Sequence, residues 1–352
     1  MSLWSRLLTG LRPPRQQRRS VAASPVLSGT ARTSAPAAVP ALKGFPNTYS
    51  PAEPDDSVQR AQVFEPALKH YPRAFRAGEP AFDSSALATQ WHDARRRAME
   101  HLLGLVVRSL WRDALVLRGS MVLKAWLGAA AREPGDMDWV VTPQTAKVSD
   151  AWVTEMFSDF VQKVSESSHA DGIDFLAGGI AVDDIWTYER APGRRMVFPW
   201  QAEGLPPGTV QMDFVFNEEL WCPPVQTAIP TRDGASAIVW TASKELSLAW
   251  KILWLVTDSY PQGKDLYDAT LLAEQTTLPP ELLKTVLTRA THPYSRAWTT
   301  DFPMHLQVDW DNFKLEYPQV PGSLEDWLLR FTNALGPTIA ECDMIVRDDL
   351  EA

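Results

Sequence analysis

Cysteine is nearly absent: Cys222 and Cys342 are the only two in 352 residues, which excludes a disulfide framework and a cysteine-based zinc site. Six histidines show no paired ligand spacing, and no nucleophile elbow accompanies them, so nothing in the sequence supports a Ser-His-Asp hydrolase. No apolar run is long and uninterrupted enough to span a bilayer. Acidic residues are missing before Glu53, whereas seven basic ones (Arg6, Arg12, Arg15, Arg18, Arg19, Arg32 and Lys43) lie there among abundant Ser, Ala and Pro. Such a stretch cannot bury a core, and residues 1–60 are expected to form a disordered basic arm. Trp4, Leu7, Leu8 and Leu11 could line a short amphipathic helix, a superficial match to a mitochondrial transit peptide. An arm that contacts RNA or a partner fits equally well. With no clear secretory cleavage pattern and almost no cysteine, a reducing cytoplasm is the expected location.

The remainder is a different kind of chain. Hydrophobic residues make up 45% of the sequence and tryptophan alone contributes 15, so a substantial core is expected. Removing the seven positive charges of the arm from a net charge of −9 leaves −16 on residues 53 to 352. A broad nucleic-acid face is disfavoured by that balance, although a local basic groove is compatible with it.

Asp136 and Asp138 stand one residue apart in Gly-Asp-Met-Asp-Trp-Val-Val. On a strand, residues i and i+2 share a face, so the two carboxylates would lie side by side and need a cation. Oxygen-only donors suit magnesium, which keeps several waters and takes one or two carboxylates together with substrate phosphates. Upstream, Asp113-Ala-Leu-Val-Leu-Arg-Gly-Ser reads as a short apolar strand and a tight turn. Gly119 allows close backbone approach there, and Ser120 begins a helix whose free amides favour phosphate. Either feature alone is commonplace; the order of strand, Gly-Ser turn, helix and Asp-x-Asp strand is what suggests a metal and triphosphate site.

This order resembles the nucleotidyltransferase superfamily, and within it the AbiEii/AbiGii toxin-like family. Leu117-Arg-Gly-Ser-Met-Val-Leu-Lys-Ala-Trp-Leu-Gly followed by Gly135-Asp-Met-Asp-Trp-Val is similar to that family's first motif. Fifteen residues separate Ser120 from Asp136, slightly long for the superfamily. Val210-Gln-Met-Asp-Phe-Val-Phe reads as a strand with Asp213 as its lone charge, which is either a surface aspartate on an edge strand or a buried one needing a partner. The resemblance implies the latter, a third carboxylate facing the pair. Tyr188 to Trp200 reads as a hairpin about a Pro-Gly turn, with Arg194 and Arg195 entering its second strand. Arg195 is placed either against phosphate or nucleic acid, or on a solvent face.

Lys251 sits on an apolar helix beside Leu248, Trp254 and Leu255, where a lysine either snorkels to solvent or neutralises buried anions. By resemblance it contacts the nucleotide's phosphates. Gly263-Lys-Asp-Leu-Tyr-Asp looks like the family's Arg-Asp-x-x-Asp motif with Lys264 in place of arginine. Asp265 and Asp268 share a helix face; Asp265 could cap that helix, and the resemblance adds a role in positioning or deprotonating an acceptor. The likeness covers about residues 100 to 275.

Other periodicities predict helices over Ser84–Leu110, Asp150–Val164, 243–258, 264–275, 280–291 and 323–335, with strands at Phe175, Ile185, Arg195, Asp213 and Ala237–Trp240. Tyr294–Gly322 has no assignable pattern. The expected fold is α+β: a nucleotidyltransferase core over 61–235 with a small mixed sheet flanked by helices, then a mainly helical part over 236–352. The resemblance implies transfer of a nucleoside monophosphate from a nucleoside triphosphate to a hydroxyl, with two Mg2+ ions held by Asp136, Asp138 and Asp213, and Gly119, Ser120, Lys251 and Arg195 on the nucleotide. It further implies a toxin of a toxin–antitoxin or phage-defence pair, with a cognate antitoxin and a tRNA, RNA 3′ end or protein as acceptor. An aminoglycoside-type enzyme and a catalytically silent nucleotide- or antitoxin-binding module of the same fold are the alternatives.

Overall fold

A computed structural model describes residues 48–49, 59–68, 74–187, 191–290 and 302–351. The basic arm up to residue 47, including Trp4, Leu7, Leu8 and Leu11, and residues 291–301 lie outside the described residues. From Gly44 onward the chain is one compact unit. No helix among the described residues is long and apolar enough to cross a membrane.

The expected α+β class holds: helices surround a mixed sheet of nine strands. A separate two-stranded hairpin pairs β1 (Arg60–Phe64) with β2 (Phe75–Pro80). Then come α1 (Ser85–Arg108), β3 (Leu115–Arg118), α2 (Ser120–Leu127), β4 (Asp136–Val141) and α3 (Ala151–Glu166). The short strands β5 (His169–Ala170) and β6 (Ile173–Phe175) precede the long β7 (Ala181–Thr187), β8 (Ala191–Gln201) and β9 (Gly208–Val215). A last hairpin, β10 (Val225–Pro230) with β11 (Ser236–Thr241), returns the chain to the sheet. Strand order is β10-β11-β3-β4-β9-β8-β6-β5, with β7 sharing the outer edge of β8. Helices α4 (Lys244–Thr257), α5 (Gly263–Ala273), α6 (Pro280–Ala290), α7 (Trp310–Glu316) and α8 (Leu324–Glu351) follow.

Alternation along the central strands divides the sheet into two faces. Met137, Trp139 and Val141 of β4, Val210, Met212 and Phe214 of β9, and Met196, Phe198 and Trp200 of β8 all enter one core with α1 and α3. The intervening residues, Asp136, Asp138, Gln211, Asp213 and Arg195, therefore turn to the other face. There, Val116 and Val140 join a second core built mainly from α4, α5, α6 and α8. Trp139, Trp200 and Trp250 are fully buried in the two cores, and burying an aromatic of this size contributes roughly 2–3 kcal/mol.

Several elements differ from the sequence expectation. Pro192 and Gly193 lie within β8, and Thr187 pairs with Ala191, so Pro-Gly belongs to the strand and is not its turn. Proline is tolerated because it stands at the beginning of its strand. Helix α8 continues through Pro337 to Glu351 instead of ending near 335; buried Leu335 and Ile339 and the Thr338 hydroxyl donating to Leu278 carry it past the lost hydrogen bond. β1, β2, β10 and α7 had no sequence signal. In β10, residues such as Gln226 and Ala228 are exposed, leaving little alternation to detect.

Gly263 opens α5 against α7. A Cβ added there would meet Phe313 Cβ at 2.4 Å and the Asp309 carbonyl at 3.0 Å, neither of which can swing aside. Gly263→Ala should destabilise the protein by about 1–3 kcal/mol, measured as a lower urea midpoint.

Candidate active site

The turn after β3 is built for close approach. Gly119 has φ 77° and ψ −154°, a conformation that side-chain-bearing residues rarely adopt. A Cβ at this position would stand 2.2 Å from an Asp138 carboxylate oxygen. The helix that starts at Ser120 points its first amides toward the same place, and the Ser120 hydroxyl donates to Asp136 at 3.1 Å.

Strand register aligns the charges. Asp138 pairs with Arg118 on β3 and with Asp213 on β9. Asp213 in turn pairs with Arg195 on β8. A row Arg118–Asp138–Asp213–Arg195 thus crosses four adjacent strands, with Asp136 two residues along from Asp138. Asp213 is buried, and Arg195 grips it with two parallel hydrogen bonds, Nε to Oδ1 at 2.8 Å and Nη2 to Oδ2 at 2.7 Å. Of the two alternatives for Asp213, the buried and partnered one holds. Arg118 is 1% exposed, lies over the Trp250 and Trp254 rings and forms an ion pair with Glu218 at 3.5 Å.

Gly119, Ser120, Asp136, Asp138, Asp213 and Arg195 line a cleft of about 820 Å³ between the sheet and the helices. Lys264, Glu65, Tyr49, Lys251 and Asp265 line it too. Asp136 and Asp138 respond differently to their shared setting. For Asp136, burial raises proton affinity, but the charges of Lys264 and Arg132 and the Ser120 hydrogen bond outweigh it and hold the carboxyl below its ordinary value. For Asp138, burial together with the charges of Asp136 and Asp213 pushes the pKa to about 7, against the pull of Arg118 and Lys264. Glu65 is held low because Arg76 and Lys264 offset its burial.

Lys251 and the Asp265/Asp268 pair make a separate, deeper cluster. The Lys251 ammonium is 2.7 Å from Asp265 Oδ1 and 3.0 Å from Asp268 Oδ2, with all three side chains almost completely buried. Arg132 adds a two-pronged contact to Asp268 at 3.0 and 3.1 Å. Lys251 therefore neutralises buried anions instead of snorkelling. Its two carboxylate partners offset the burial penalty and hold its pKa above the ordinary lysine value. Asp268 is held low by Arg132 and Lys251, again against burial. Asp265 reaches the cleft lining, whereas Asp268 does not; the N-cap position of α5 is Gln262, without a side-chain cap hydrogen bond, and Asp265 lies inside the helix. The structure thus brings Gly119, Ser120, Asp136, Asp138, Asp213 and Arg195 to one site, with Lys251 and Asp265 at its edge.

Sequence reasoning misses several cleft residues, Arg132, Lys264, Glu65 and Tyr49 among them. In the sequence Lys264 is only a replacement for arginine, yet its charge acts more strongly than any other in holding Asp136 low. Glu65 and Tyr49 come from segments without a secondary-structure pattern, and nothing local marks them.

The acidic set suits a hard divalent cation, since its donors are oxygens and Asp138 carries a charge its neighbours oppose. The fit is best for Asp136 and Asp138. Both oxygens of Asp213 are already engaged by Arg195, and among the described residues no three His, Cys, Asp or Glu side chains form a ready metal cage.

Comparison with protein families matches residues 101–332 to the family described as nucleotidyl transferase AbiEii toxin, type IV toxin–antitoxin system. A provisionally named nucleotidyltransferase from H. pylori is a solved structure with some likeness: 13% identity, TM-score 0.43, covering 74% of this chain and 98% of that one. No curated protein sequence matches the chain. The class is therefore that of a nucleotidyltransferase. The chain belongs to the AbiEii nucleotidyltransferase toxin family.

A carboxyl whose pKa is higher folded than unfolded costs the fold stability as pH rises from its unfolded value, 3.8, to about 7. Asp138→Asn removes that cost, so its stability relative to wild type, from urea unfolding, should grow between pH 5 and pH 8 by on the order of 3 kcal/mol. Gly119→Ala must strain the backbone and displace Asp138; it should lose roughly 1–3 kcal/mol of stability, and nucleotide transfer by the still-folded protein should fall by more than that loss explains.

Proposed function

We propose that this protein is a Mg2+-dependent transferase that moves a nucleoside monophosphate from a nucleoside triphosphate to a hydroxyl acceptor, an RNA 3′ end such as that of tRNA or a protein side chain. The observation that carries this reading is the placement of Asp136, Asp138 and Asp213 on adjacent strands, directly beside the Gly119–Ser120 turn and the start of α2. In two-metal chemistry, bound divalent cations stabilise the attacking and leaving oxygens of an in-line displacement. The chain's own groups have distinct tasks around that step. Gly119 and the first amides of α2 receive the distal phosphates, where backbone donors and the helix dipole favour negative charge. Ser120 orients Asp136 through its hydroxyl. Asp136 and Asp138 would hold the metals; Asp213 would join them by sharing its oxygens with Arg195, which fixes its orientation.

Lys264 faces the acidic pair across the cleft and would offset triphosphate charge directly. Lys251 acts at one remove: bound to Asp265 and Asp268, it ties α4 to α5, the helix that carries Lys264. Asp265, at the cleft edge, would help position the acceptor. The family description supports a toxin role with a cognate antitoxin as partner.

The test is incubation of the purified protein with Mg2+, each α-labelled nucleoside triphosphate and total bacterial RNA, beside an Asp136→Ala/Asp138→Ala double variant. Label should enter RNA or protein with wild type only. Equal labelling by the folded double variant overturns the mechanism.

A further inference from the structure

Tyr49 lies in the cleft, with the Arg195 guanidinium 4.5 Å from its ring centre. Arg195 is the residue that holds both oxygens of Asp213, so the ring stacks on the partner of the third acid. Its neighbour Thr48 is buried, which seats this stretch of backbone against the protein. The charges acting on the phenol are those of Arg195, Glu65 and Asp213, all groups of the cleft. A hydroxyl-bearing side chain of the chain itself therefore lines the same cleft as the acidic row. Tyr49 is half-buried, and its polar end is hydrogen-bonded to the same Arg195 that holds Asp213, which places the phenol among the ionised groups of the site and not in an apolar core.

We propose that Tyr49 is a self-modification site, its phenol being an acceptor to which the protein couples a nucleoside monophosphate. This rests on the transferase reading above and names one protein hydroxyl that the same site reaches. The phenolic oxygen forms a bond to the α-phosphorus of a nucleoside triphosphate. The bond from that phosphorus to the oxygen bridging to the β-phosphate breaks, and pyrophosphate leaves with the electron pair. The phenolic proton passes to a carboxylate of the acidic row and then to water. Burial keeps the phenol protonated at neutral pH, so the proton departs during attack and not before it. The product is a phosphodiester beside Arg195, whose charge would favour its retention.

The experiment uses the full chain with Mg2+ and each α-labelled nucleoside triphosphate, with and without RNA, followed by peptide mass spectrometry. Wild type, Tyr49→Phe and Asp136→Ala/Asp138→Ala are compared. Phenylalanine keeps a ring over Arg195 and removes only the hydroxyl. The expected result is label on Tyr49 approaching one nucleotide per chain, absent from both variants, forming at a rate per molecule unchanged by dilution. Label confined to other residues overturns the proposal, as does RNA labelling with an unlabelled protein; in both cases the transferase reading survives. A rate that falls with dilution overturns reaction within the chain's own cleft. Absence of label from protein and RNA alike removes the transferase reading and this proposal together.

Discussion

Three carboxylates brought together on one sheet face repel one another, and much of the site's construction manages that repulsion. Asp213 is buried and would be costly as a lone charge, so Arg195 matches it with a two-pronged hydrogen-bonded pair in register on the next strand. Asp136 is eased by Ser120, Lys264 and Arg132. Asp138 lies between the other two acids and opposite Arg118, and its charge is the least compensated. A cation bound there, as the proposed mechanism requires, would relieve a cost the protein otherwise bears.

Positive charge is distributed in two layers with different purposes. Arg118 and Lys251 are almost wholly buried, against tryptophan rings and carboxylates respectively, and serve to fix strands and helices in place. Lys264 is only half-buried and acts on the acidic pair across open cleft. Arg195 does both, since its guanidinium locks Asp213 along its edge while its face meets Tyr49 in the cleft. The one-turn offset between Lys264 and Asp268 on α5 separates a residue turned to the cleft from one sealed in the helical core.

The opening hairpin ties these parts together. The side-chain amide of Asn312 on α7 exchanges hydrogen bonds with both backbone groups of Phe64, and Arg76 bridges Glu65 to Glu316. Arg60 reaches the Pro207 carbonyl at the start of β9. One short ribbon therefore contacts both the sheet and the helical part, and it brings Glu65 to the cleft.

What the amino-acid order determined by itself was whatever depends on near neighbours. Alternation places Asp136 and Asp138 on one strand face, Gly119 alone suits the turn, and the apolar periods of α1, α3, α4 and α5 set those helices within a few residues of where they lie. The family's motifs were legible for the same reason, each being a run of a dozen residues or fewer. Only tertiary structure decided that Lys251 faces Asp265 and Asp268, that Arg195 closes on Asp213, and that Tyr49 and Glu65 enter the cleft. These pairings depend on strand register and helix packing between segments far apart in the chain, and no local pattern encodes which distant charge will arrive opposite another.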